Sequence, residues 1–289
     1  MDTIGFVYPA CGHWLLGAKS AGFKLLWFFE KGKLEYETCK LNFPEVKSYF
    51  GHLNIDQIPK PDVIVGSPPC KGFSHGINFR QIDIPENSLL EDFGLLVGQL
   101  KPKIFLLENV PYVLKRWDHL EKCKSNLIGY NLTETLLNAT DFGGNQNRKR
   151  YFLAGVRRDL GLSFLFPELG KVHHTVKEII WDLEDLPSSY YPEHIWDGKI
   201  REIMGTVRTL AANKPSWTIT GWSYRWRHYN QVRNISLLEL KRLMGLPDSW
   251  ILPQGSIQKK TQAIAEGVDV NLLRFLFLSL IKNLSLGES

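Results

Sequence analysis

The chain has 289 residues, 44% of them hydrophobic, and a formal net charge of +5. That is enough apolar material for a well-buried core in one large domain or in a large and a small one, while so mild a basic excess says little by itself about a polyanionic partner. The four cysteines, Cys11, Cys39, Cys70 and Cys123, form no C-x-x-C pair and have no histidine at zinc-ligand spacing, so a reduced, cytosolic protein without structural metal is expected.

The opening MDTIGFVYPAC carries an acid and neither a basic nor a long apolar stretch, so no secretory leader is expected. IGFVY (4–8) reads as a strand leading into a helix near 13–21, and FKLLWFFE (23–30) as a second strand before a helix near 36–41. DVIVG (62–66) follows, then a loop and an amphipathic helix around 87–100. KIFLLEN (103–109), a helix near 116–127, YNLTETLLN (130–138) and RYFLAGVR (150–157) close the series. Short apolar strands separated by helices indicate an α/β fold with a mostly parallel, doubly wound, Rossmann-like sheet, whose ligands sit outside the carboxyl ends of the strands. Between 158 and 232 the pattern breaks. Pro167, Pro187, Pro192 and Pro215 punctuate it, and six tryptophans fall between 181 and 250, so this stretch reads as a small second domain between a catalytic domain (1–157) and a returning segment (233–289). Helical periodicity resumes at LLELKRLMG (237–245). The last greasy run, VNLLRFLFLSLIKNL (270–284), is too short to span a bilayer and is interrupted by Arg274 and Lys282, so it reads as a buried helix.

Polar or reactive residues stand at the predicted carboxyl ends: Tyr8, Glu30, Cys70 and Glu108. Glu30 lies where a carboxylate can accept both hydroxyls of a ribose, although the turn at 8–17 has Gly12 and Gly17 without a complete glycine-rich fingerprint. A lone cysteine is most often packing material. Cys70, however, follows Pro68-Pro69 in VGSPPCKGFSH, and Glu108 ends the neighbouring strand. A thiolate beside a carboxyl group that can donate or accept a proton is a recurring pairing in covalent catalysis. In 222-WSYRWRHYNQVR-233, arginines interleave with aromatic rings, which is either a solvated aromatic loop or a nucleic-acid surface.

VGSPPCKGFS, then LLENV (106–110), then QNRKR (146–150) resemble the ordered signatures of the DNA (cytosine-5) methyltransferase family. GAKSAGF (17–23), Glu30 with NFPE (42–45), HTVKEIIWDLEDLP (174–187), PSWTIT (215–220) and RNISLLELKRLMGLPDSW (233–250) resemble further blocks in order. The resemblance implies transfer of a methyl group from S-adenosylmethionine to carbon 5 of a flipped-out cytosine in double-stranded DNA. It implies that Cys70 adds to carbon 6, that Glu108 holds N3 and the exocyclic amine, and that Arg150 contacts O2 with Arg148 supporting the same loop. It places the cofactor along Tyr8, Ala10, Cys11, Gly12, His13, Trp14, Glu30, His52, Leu53, Pro69, Leu90, Glu266 and Val268. It assigns Ser74 and Lys71 to DNA, and it makes 158–232 the target recognition domain, where Arg225, Arg227 and Arg233 are candidate phosphate contacts. A monomer in the cytoplasm or on the nucleoid, without membrane contact, is expected, and the resemblance admits a companion restriction endonuclease.

Departures from the family cluster around the cofactor. Phe6 replaces an acid, Ala10 and His13 replace glycines, and His52 stands where an adenine-binding carboxylate is usual unless Asp56 serves. Glu266 replaces an asparagine that faces the methionine end, and Lys71 a glutamine. Three alternatives stay open on sequence: a modified sulfonium donor transferring another group, a transfer-RNA cytosine-5 methyltransferase, and a DNA-binding relic without catalysis. On such a modified donor Glu266 would tolerate an amine better than a second carboxylate, because two like charges buried together cost several kcal/mol.

Overall fold

The computed structural model describes residues 1–69, 88–115, 117–170, 174–184, 208–231 and 233–287. The chain begins with β1 (Thr3–Val7), α1 (His13–Ser20), β2 (Lys24–Glu30), α2 (Lys33–Asn42), β3 (Lys47–Phe50) and β4 (Val63–Gly66). It continues with α3 (Leu89–Leu100), β5 (Ile104–Asn109), α4 (Trp117–Ser125), β6 (Tyr130–Asn138), the two-residue β7 (Gln146–Asn147) and β8 (Lys149–Arg157). After α5 (Val176–Ile180) and β9 (Ser216–Trp217) come α6 (Leu237–Leu243), α7 (Ile257–Ala265) and α8 (Val270–Gly287).

Seven strands form one sheet in the order β3-β2-β1-β4-β5-β8-β6. The pairs from β3 to β5 are parallel, while β8 runs antiparallel to both β5 and β6. This is the doubly wound α/β sheet expected from the alternation of strands and helices. Strand side chains alternate between two apolar layers, as a sheet covered on both faces requires. Phe6, Phe28, Val65, Leu106 and Phe152 enter one layer with α1 and α8, and Val7, Phe29, Ile64, Leu107 and Leu153 enter the other with α3 and α4. β3 was not expected. It is a half-exposed edge strand whose sequence, KSYF, carries no apolar alternation.

The described residues of 158–232 contribute Phe164, Val176, Ile180, Leu183, Leu210, Ile219 and Trp226 to the first of these layers. Residues 171–173, 185–207 and 232, the rest of the expected second domain, lie outside the described residues. β9 pairs in parallel with β7, Gln146 opposite Ser216, and so fixes the end of this segment beside the start of β8. Among the described residues no helix is long and apolar enough to cross a membrane, and no group of side chains could hold a metal ion.

Candidate active site and cofactor cleft

β4 ends at Gly66, where the Phe93 ring occupies the space a side chain would need. The next residues turn out over the edge of the sheet: Ser67 N–H donates to Val7 O at 3.1 Å, and Ser67 Oγ makes a short hydrogen bond to Glu108 Oε2. Because β8 is antiparallel, its first residues lie at the same edge where the parallel strands end. That brings Arg150 Nε to 3.0 Å from Glu108 Oε1. Glu108 is 4% exposed, and both its oxygens are therefore held from inside the protein. The adjacent Asn109 Nδ2 donates to Pro68 O at 3.2 Å, and Asn109 Oδ1 accepts from Val110 N–H at 2.9 Å, so the strand carrying Glu108 also anchors the proline loop. Cys70, Lys71 and Ser74 follow that loop and lie outside the described residues.

Arg148, expected to support the same loop as Arg150, is buried among distant segments. The residue is 3% exposed, and its guanidinium donates to three backbone carbonyls: Ile219 O at 3.0 Å, Ala265 O at 2.8 Å and Gly267 O at 2.7 Å. Gln146 takes the other side of the same residue, its Oε1 accepting from Ile219 N–H at 3.1 Å. The two side chains grip Ile219 fore and aft and tie it to residues 265–267. Gln146 Nε2 also lies 3.3 Å from Asp269 Oδ2, whose other oxygen accepts from Asn271 N–H at 3.0 Å. Burial pushes the Asp269 carboxyl up to about 6, with the hydrogen bonds and the Arg148 charge opposing.

The turn after β1 holds an unusual backbone. Tyr8 and Ala10 have φ of 56° and 52°, and Gly12 has 90°. Side chains rarely adopt such angles, and strain of about 1–3 kcal/mol per residue is typical of ligand-clamping turns. Tyr8 N–H pairs with Phe29 O at 2.9 Å, and Ala10 O accepts from Cys39 Sγ at 3.2 Å, which holds the turn in place. Beside it a cavity of about 340 Å³ opens at the carboxyl ends of β1, β2 and β3. Val7, Tyr8, Phe29 and Phe93 line it, with His52, Leu53 and Ile55 on one side and Asp92, Leu95 and Gln99 of α3 on the other.

Of the expected cofactor residues, Tyr8, His52 and Leu53 line this cavity. Glu30 is close by, but its Oε1 accepts from the Lys31 and Gly32 backbone amides at 2.8 and 3.0 Å. Trp14 is a core residue, edge-on to Phe152 and Phe277, and Leu90, Cys11 and Val268 are likewise buried in the two apolar layers. His13 is also fully buried, against Gly267 and the Trp250 ring. Burial and the nearby Arg148 push its imidazole down to about 3, so it stays neutral. Glu266, at the end of α7, accepts from Gln262 Nε2 at 2.6 Å. Pro69 is half-buried at the last described position of the loop. The wall supplied by α3 was missed on sequence because Asp92, Leu95 and Gln99 occupy the helix face turned away from the core, where composition carries no periodic signal. Phe29 and Lys31 flank the predicted Glu30 and were legible only as its neighbours.

The expected nucleic-acid residues separate. Arg225 stacks over Trp222 at 4.5 Å and Tyr224 at 5.4 Å, with Nε donating to Tyr224 OH at 3.1 Å, and Trp222 is 49% exposed. This is a presented cation–aromatic platform. The backbone of Arg227 is paired on both sides, with Thr209 and with Asn234. Arg233 instead forks onto buried Glu239, at 2.9 and 2.7 Å, and Ser236 N–H donates to the same carboxylate at 2.6 Å. Burial pushes Glu239 up, but the Arg233 fork, the nearby His228 and the Ser236 amide outweigh it and hold the carboxyl below its usual range. Arg233 therefore anchors the base of the platform loop and is not a presented cation.

The family model described as C-5 cytosine-specific DNA methylase matches residues 8–218 and 198–282 of this chain. Type II methyltransferase M.NgoPII of Neisseria gonorrhoeae is 27% identical over 313 residues, covering 92% of this chain and 91% of that protein. Type II methyltransferase M.MthTI of Methanothermobacter thermautotrophicus is 26% identical over 326 residues, covering 98% of each. Among solved structures, a methyltransferase encoded within an E. coli prophage superimposes with a TM-score of 0.75 at 21% identity, covering 99% of this chain and 100% of that one. Spodoptera frugiperda DNMT2, as a triple mutant, gives 0.70 at 19% identity and covers 100% of both. At those identities the structural likeness is one of fold.

Proposed function

Since the chain belongs to the C-5 cytosine-specific DNA methylase family, we propose that its sheet edge takes a flipped-out cytosine against Glu108 while the cavity beside Tyr8 takes the adenosine end of the donor. The protein is a DNA (cytosine-5) methyltransferase, and S-adenosylmethionine is its methyl donor. The residues present fit that donor: an aromatic and aliphatic floor suits a purine, and the polar rim of Lys31, His52, Asp92 and Gln99 suits its amine and hydroxyls. When bound, the donor supplies an electrophilic methyl on a sulfonium centre.

The chain's own residues account for the rest. Carbon 6 of a stacked cytosine cannot be reached, so the base must leave the helix, a cost of a few kcal/mol recovered by contacts in the pocket. The Cys70 thiolate then bonds to carbon 6, and the electron pair of the 5,6 double bond moves into the ring. Glu108 meets that charge at N3 and the exocyclic amine. Ser67 on one oxygen and Arg150 on the other fix the orientation of its carboxyl group before the base arrives, which is how an active site avoids reorganisation during reaction. Arg150 Nη2 makes no hydrogen bond among the described residues, which suits it to the base O2. Once carbon 5 has taken the methyl with that electron pair, loss of its proton and departure of the Cys70 sulfur restore aromaticity.

The observation that carries this reading is the Ser67–Glu108–Arg150 cluster, joined through Asn109 to the loop that leads into Cys70. The Trp222–Arg225 platform supports contact between the 208–231 segment and duplex DNA. The naming of the relatives as Type II methyltransferases supports a modification role beside a companion restriction endonuclease. The test is a duplex containing 5-fluorocytosine, incubated with the protein and S-adenosylmethionine. A denaturant-stable adduct is expected, and none with Cys70→Ala. Turnover without an adduct would sink the covalent reading, and a reacted cytosine heavier by anything other than one methyl would revive a modified donor.

A further inference from the structure

The cavity beside Tyr8, read as the donor's adenosine site, has lost the acid that the family places at residue 52, which here is His52. Asp56, the nearest acid along the chain, is exposed and does not line the cavity. Among the described lining residues the only carboxylate is Asp92, in the first turn of α3, which enters from the opposite wall. The sequence spacing of the family motif gives no hint of this residue. Only the packing of α3 across from the 51–55 segment brings it there.

Two observations set Asp92 apart from an ordinary surface acid. First, Asp92, Lys31, His52 and Gln99 ring an apolar floor, and no hydrogen bond or ion pair joins their side chains to any described residue, although a carboxylate and an ammonium are both present. Side chains in such a ring are available to a ligand. Second, the Tyr8 hydroxyl is pushed well above its ordinary range, by burial first, then by the charge of Asp92, then by that of Glu30. Asp92 and Tyr8 thus face the same cavity, the acid from its rim and the aromatic ring from its floor.

An adenine in an apolar slot presents an exocyclic amine that has given up its water, and such a donor needs an acceptor. A charged acceptor is worth roughly ten- to a hundredfold in affinity. We propose that Asp92 accepts the hydrogen bond from the amine of the donor's adenine, replacing from α3 the carboxylate absent at position 52, and so sets the base specificity of the cofactor site. This rests on the reading of the cavity as the adenosine site.

The experiment is calorimetric titration of the full-length protein with S-adenosylhomocysteine and with S-inosylhomocysteine, in which a carbonyl replaces the amine. The wild type should prefer the adenine compound by about tenfold or more. Asp92→Asn, whose amide can turn a donor toward a carbonyl, should bring the two affinities together or reverse their order. Asp92→Ser should weaken the adenine compound about tenfold and leave the inosine compound little changed, while Asp56→Asn should alter neither. Asp92 is exposed on its helix, and an unchanged melting temperature for each variant will show that the fold is intact. If Asp92→Asn and Asp92→Ser keep the wild-type ratio while S-adenosylhomocysteine still binds, the assignment of Asp92 is wrong and the donor site stands. If the wild type binds neither compound, the donor-site reading fails and this inference with it.

Discussion

Glu108 has a partner on each oxygen, so a change there tests chemistry and geometry separately. Glu108→Gln keeps the shape but removes the charge opposite Arg150. It should lower kcat by about two to three orders of magnitude while leaving the affinity for S-adenosylhomocysteine unchanged, a split read from steady-state rates beside titration. Arg225 and Arg233 make a paired comparison. Arg225→Ala should weaken duplex binding and flatten its dependence on salt by about one phosphate contact, with little change in melting temperature. Arg233→Ala should instead destabilise the fold by about 2 kcal/mol or more, because it strands the buried Glu239 carboxylate. The arginine is partly exposed and the carboxylate fully buried, and denaturant unfolding would read the loss. If both variants act on the salt slope alone, Arg233 is a DNA contact after all. Asp269 supplies a pH test. Its carboxyl is raised from 3.8 to about 6 in the fold, so the native state holds the proton more tightly than the unfolded chain does. This stabilising contribution is fully present below pH 4 and is lost as pH rises through about 6, a change of order 3 kcal/mol. Stability of Asp269→Asn relative to wild type should therefore climb between pH 4 and 7 and stay level above it. A flat difference would mean the carboxyl is ionised throughout.

At the scale of elements, the parallel strands were legible because both faces of the sheet are covered and the sequence shows it as short, nearly continuous apolar runs. The ends of β1, β2, β4 and β5, and with them Tyr8, Glu30 and Glu108, could be placed from those runs alone. What resisted reading depends on contacts between distant segments. β3 has no apolar alternation, and β7 and β9 are two residues long, too short to leave a pattern. Arg148 and Arg150 look equivalent in QNRKR, yet one faces three carbonyls from segments about 70 to 120 residues away and the other faces Glu108. Spacing within one strand cannot separate them, because the distinction lies in what the rest of the chain packs on either side. The same holds for Arg225 and Arg233, whose roles differ only because α6 offers Glu239 to the second.

Across the whole molecule, one reversed strand organises everything at the sheet edge. β8 sits between β5 and β6, antiparallel to both, so its first residues bring Arg150 to Glu108 and Arg148 to the 219 and 265–267 segments together. β6 and β8 are joined by a short connection and can pair locally, whereas β5 gains its second neighbour only when that ribbon docks. Until then the fully buried strand IFLLEN would show an unpaired row of amides and carbonyls along an apolar ribbon. A fragment ending at residue 148 should accordingly aggregate on expression, visible as material lost to the pellet, while the full chain stays in solution. Self-association of nascent or truncated chains, and not loss of chemistry, is then the first failure to expect from mutations that delay the docking of β8.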